Sequence, residues 1–176
     1  MDLDLGLLLL RVLLAALLLG HSTQKLFGWF SGAGPRGTGK IFEQWGFSPG
    51  PRMAVIAGLF ELLGALSILF GLLLPGGAAV IIGTMIVAAA ATASGGFWAQ
   101  QGGCEVPVCY AALATILAVT GPGTWSLDHA LGLAPLLSGP GWGLAALAVG
   151  AGAATVPLLL RRRVLRARTT NTEVNQ

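Results

Sequence analysis

Five apolar runs, each approaching the length needed to cross a bilayer, constrain this chain more than any other feature. A hydrocarbon core of ~30 Å takes about 20 mostly apolar residues per helix. In lipid every backbone polar group must be satisfied internally, so an all-α membrane protein is expected. The runs predict spans at about residues 3–30, 53–74, 78–98 and 106–121, and a fifth from Trp142 to Leu160. Residues 1–135 then form a four-helix transmembrane bundle. Residues 136–160 add a C-terminal transmembrane helix, and residues 161–176 form a basic, disordered cytoplasmic tail.

Composition agrees. The chain is 55% hydrophobic and 10% charged, where a soluble domain is about a quarter charged. Twenty-seven glycines and many alanines suit close helix packing in lipid. Ala146, Gly150 and Ala154 recur every four residues on the fifth span, a small-residue packing stripe. The net charge of +3 does not describe a nucleic-acid-binding surface, because five of the ten basic residues lie between Arg161 and Arg168. The acidic Met1–Asp4 start argues for a retained first span and not a secretory signal.

Charge also orients the chain. Lys25, Arg36, Lys40 and Arg52 flank the first connection, and five arginines follow the fifth span. Five spans put both clusters on one side, expected to be cytoplasmic. The N-terminus is then outside, in a bacterial plasma membrane. Pro75-Gly76-Gly77 is expected to break spans two and three, and Gly32–Gly37 to form a flexible loop.

Glu61 is an ionisable residue inside Met53–Leu74, a run with no other. Such a group at membrane depth faces a partner or a functional path. On the first helix Arg11, His21 and Lys25 fall within about 80° of one another. Counted from opposite surfaces, Arg11 and Glu61 each lie about 12 Å deep. Glu61–Arg11 is therefore the first-choice buried pair, with His21 or Lys25 next. Two readings stay open: an ion pair that fixes helix register, and a polar pocket that binds a ligand head group or relays protons. Phe27, Trp29, Phe30, Phe42, Trp45 and Phe47 form an aromatic belt, part of which would wall a pocket entrance. The loop from Phe97 to Glu105, with Trp98, is placed to close over the pocket. Glu105 alternatively serves its helix N-terminus.

Other motifs exclude chemistry. Gly32-Ala33-Gly34-Pro35-Arg36-Gly37 matches GxGxxG, but no strand precedes it and Pro35 removes an amide. Cys104 and Cys109, five apart, give no zinc or thioredoxin-like motif; two free thiols are expected, with a disulfide as the alternative if the segment before Cys104 is not helical. No catalytic triad, P-loop or haem-attachment motif is present, so the chain has no catalytic motif of its own and no covalently bound cofactor is expected.

Four patches in order resemble the DoxX family: His21–Phe30 with Phe42–Phe47, Ala57–Gly64, Gly102–Pro107, and Gly121–Asp128. Cys104 and Val106 replace the family's aromatics, and Ser22 replaces its usual glycine. The fifth span lies outside the family core. The resemblance implies a four-helix bundle related to DoxD, the quinone-linked subunit of thiosulfate:quinone oxidoreductase. It implies His21, Lys25, Glu61 and Glu105 as functional positions. The expected function is a quinone-interacting subunit of an oxidoreductase assembly, with Arg11, His21, Lys25, Trp29, Glu61, Trp98 and Glu105 as ligand-binding candidates. Expected partners are membrane lipids and a second protein, with homo-oligomers allowed and no nucleic acid. The alternatives are a non-catalytic scaffold that recruits a partner and a small-solute transporter.

Overall fold

A computed structural model describes the backbone of residues 2–174 and the side chains of residues 2–170. Seven α-helices follow one another: α1 Asp2–Phe27, α2 Gly34–Gln44, α3 Gly50–Phe70, α4 Leu74–Thr92, α5 Glu105–Thr120, α6 Leu127–Ala130 and α7 Pro140–Val174. Among the described residues there is no strand. α1, α3, α4 and α7 are long and apolar enough to cross a membrane; α5 is a shorter apolar helix of 16 residues.

These five helices alternate in direction. At one end Thr124 N–H donates to Asp4 (2.8 Å) and Gly139 N–H to the Val119 carbonyl (3.0 Å). At the other, Arg161 Nε donates to the Trp45 carbonyl (2.8 Å). Both basic clusters therefore share one end, as the charge pattern leads one to expect.

The core is built from α1, α3, α4 and α5, with Leu14, Leu18, Ile68, Ile81, Ile82 and Leu117 fully enclosed. α4 is the central helix, more enclosed than α1, α3 or α7. Small residues make that centrality possible. A Cβ on Gly83 would meet the Gly150 carbonyl at 2.9 Å, and one on Gly150 would meet the Ala79 carbonyl at 2.8 Å. Ala146 and Ala154 are buried on the same stripe.

Three expectations need correction. The turn between spans two and three lies at Gly71–Leu73, before Pro75. Gly71 N–H bonds the Ile68 carbonyl and Leu72 N–H that of Ser67, a Schellman closure with Gly71 left-handed at φ 58°. Pro75 then occupies the first turn of α4, where its missing N–H is harmless. The segment after Ala33 is the helix α2 and not a flexible loop. Its Gly39 lies against the Pro51 backbone, and Glu43 accepts the Gly50 N–H (3.0 Å) at the start of α3. The tail is helical as far as Val174, because α7 continues through its arginines. Residues 175 and 176 of that tail lie outside the described residues.

Candidate functional site

Two buried polar clusters sit at opposite ends of the bundle. The first is centred on Arg11, which is 2% exposed. Its Nε donates to Ile68 (3.1 Å), Nη1 to Pro122 (2.5 Å), and Nη2 to Leu69 and Trp125 (3.0 Å each), always to a carbonyl. Ile68 and Leu69 belong to the last turn of α3, where carbonyls lack helical partners and the dipole is negative. Arg11 therefore caps α3. Asp128, fully buried, does the converse for α4 by accepting the N–H groups of Leu73 (2.8 Å) and Leu74 (3.0 Å). Ser126 caps the short α6 through His129 N–H, as its position before Asp128 suggests. Each charge of this knot has a structural task.

This overturns the first-choice pair. Glu61 meets Lys25 and not Arg11: Lys25 Nζ lies 2.9 and 2.7 Å from the two carboxylate oxygens. Depth along the helices brings Arg11 and Glu61 within reach only if the guanidinium is free to extend. Four carbonyls around Arg11 outcompete one distant carboxylate. Glu61 is 3% exposed, and the Lys25 side chain remains 18% exposed.

Local sequence explains the Lys25–Glu61 contact. His21 and Lys25 are one turn apart on α1, and Gly58 and Glu61 share a face of α3. A Cβ on Gly58 would meet Leu26 at 2.8 Å and Lys25 at 3.4 Å. Ser22 Oγ donates to the Gly58 carbonyl (3.0 Å), which locks the two helices at this level. Ser22 thus supplies an interhelical hydrogen bond.

Lys25 also lies 3.4 Å from the His21 carbonyl. The His21 ring approaches Tyr110 on α5, with Nε2 and the phenol oxygen 3.4 Å apart and ring centroids at 5.9 Å. His21 and Tyr110 are both part-exposed. The result is a polar array across three helices: an enclosed carboxylate, its lysine, then an imidazole and a phenol opening outward.

Tyr110 was missed by sequence reasoning. It is the lone tyrosine, yet nothing in the order of residues links it to His21, 89 positions away. The remaining candidates lie apart from the array. Trp29 is exposed and meets Phe27 at a tilt; Trp98 is exposed and meets Phe97 edge-on. Glu105 accepts the Ala99 N–H (2.9 Å) and closes its own loop. Cys104 and Cys109 are free thiols. Two clefts, around Ser138–Trp142 and around Asp4 and His129, lie at the Arg11 end and are not lined by Glu61.

Residues 6–94 match the family model described as DoxX, which covers about half of the chain and runs from α1 through α4. No curated protein and no solved structure matches the chain.

Proposed function

Because this chain belongs to the DoxX family, we propose that it is the membrane subunit of an oxidoreductase assembly and holds a quinone head at its His21–Tyr110 edge. The observation that carries this reading is the seam between α1 and α5. There an imidazole and a phenol meet at 3.4 Å and stay part-exposed. When His21 Nε2–H donates to the phenol oxygen, the Tyr110 O–H is left free as a donor and suits one carbonyl of a quinone ring. Such a ligand supplies two-electron, two-proton chemistry when bound. Its isoprenoid tail would lie along the apolar flank of α1, where Leu13 and Leu17 are exposed.

In this reading Glu61 is not a direct ligand. Both its oxygens are engaged by Lys25, so it holds the ammonium beside His21. His21, the residue whose ordinary titration range lies nearest neutrality, handles protons at Nε2. Electrons arrive from a partner protein at the end that carries α2 and the arginines of α7. That end faces the cytoplasm of a bacterial cell in this proposal.

The test is binding of a short-chain quinone to the purified chain in nanodiscs. Tyr110→Phe and His21→Gln should each weaken it about tenfold, the equivalent of one lost hydrogen bond of ~1.4 kcal/mol. Unchanged affinity in the folded double variant would sink the proposal.

A further inference from the structure

α7 is longer than one crossing requires. Its 35 residues extend about 52 Å at ~1.5 Å per residue, against a hydrocarbon core of ~30 Å. The point of exit is marked by side chains: Leu159 and Leu160 are exposed apolar residues, and five arginines begin immediately after them.

The rotation of the helix at that point is fixed. Arg161 donates to the Trp45 carbonyl, and its guanidinium lies 5.8 Å from the Phe47 ring centroid. Leu165 packs where a Cβ on Gly46 would come within 2.8 Å of its Cγ. Gly46 has φ 91°, so the turn itself also favours glycine. With Arg161 and Leu165 facing this turn, ~100° per residue turns Arg163 and Arg166 to the far side and Arg162 to the flank beside them, the three within about 100° of one another. All three are exposed, and no ion pair among the described residues engages them. Like charges one turn apart repel. Lys40 and Arg52, also exposed at this end, add to the field.

We propose that Arg162, Arg163 and Arg166 form a binding site for the phosphates of anionic glycerophospholipids in the leaflet through which α7 emerges. Arg162 and Arg166, one turn apart, embrace one phosphate; Arg163 takes its neighbour. The guanidinium fork matches phosphate oxygens two at a time. The height is right as well. The Trp45–Phe47 turn that clamps Arg161 is aromatic, the composition of the membrane–water boundary, and the triad begins one residue beyond it. Charge complementarity and this position select a lipid head group as the occupant.

The experiment reconstitutes the full chain in vesicles of phosphatidylcholine with a minority of phosphatidylglycerol, then extracts it and quantifies the retained lipid. Wild-type protein should enrich phosphatidylglycerol, and added salt should reduce the enrichment. Each arginine removed should lower it about fivefold at low salt. The R162Q/R163Q/R166Q variant should lose it; the corresponding triple lysine variant, which keeps the charge without the planar fork, should keep only part of it. If the triple glutamine variant is unstable, Arg166→Gln alone carries the test, since it lies beyond the clamp at Arg161. Equal enrichment in wild type and glutamine variants would overturn the proposal. So would an acidic polypeptide that occupies these arginines in place of lipid.

Discussion

Truncating Arg11 to alanine strands four carbonyls that now share one guanidinium. The expected loss is about 3–5 kcal/mol, the range for removing one side of a buried charged network, read as the thermal unfolding midpoint in detergent. Arg11→Lys should restore only part of it, because a single ammonium cannot reproduce the planar fork. Lys25 and Glu61 behave differently, since they neutralise each other. Lys25→Met or Glu61→Leu alone leaves an uncompensated buried charge and should destabilise strongly. The double variant should lose less than either single change. A double-mutant cycle on unfolding measures this coupling, and additive losses would mean that the pair is not the fastening described here. The buried carboxylate was legible from residue order, because Glu61 is the lone ionisable group of its run. Its partner was not. That choice depended on which cation was already engaged by carbonyls at the far end.

α4 and α7 adhere through backbone-to-backbone approach at Gly83 and Gly150. Gly150→Leu should force them apart at a cost of about 1–3 kcal/mol, as overpacking does elsewhere. Faster amide hydrogen exchange in α7 and the middle of α4, with α1 and α3 unchanged, is the expected readout. The small-residue period that makes this contact was readable in advance, since Ala146, Gly150 and Ala154 recur at one helical spacing. α2 was not readable. Its three glycines disfavour helix by about 1 kcal/mol each relative to alanine. Packing on α3 reverses that preference: Gly39 admits the Pro51 backbone, and Glu43 caps the helix it rests on. The turn at Gly71–Leu73 was misplaced for a similar reason. Pro75-Gly76-Gly77 is the stronger local signal, but Asp128, 54 residues after Leu74, supplies the acceptors that start α4 there.

The two basic regions meet at one end of the bundle, so single-cysteine labelling should find Thr38 and Thr169 reactive from the same side of the membrane and Thr124 from the other. Replacing Cys104 and Cys109 by serine first removes the native thiols. Labelling of Thr38 and Thr124 from one side would contradict five crossings. Sequence by itself determined that this chain is helical and membrane-embedded, roughly where its long apolar helices run, and that a carboxylate lies buried among them. Those properties follow from hydropathy and helical period, which act over one turn or one bilayer thickness. Tertiary structure alone decided which apolar faces meet lipid and which meet α4, that Lys25 and not Arg11 answers Glu61, and that Tyr110 joins His21. Near-uniform apolar helices carry little record of their facing, and contacts between residues tens of positions apart arise only when backbones pack closely enough to touch.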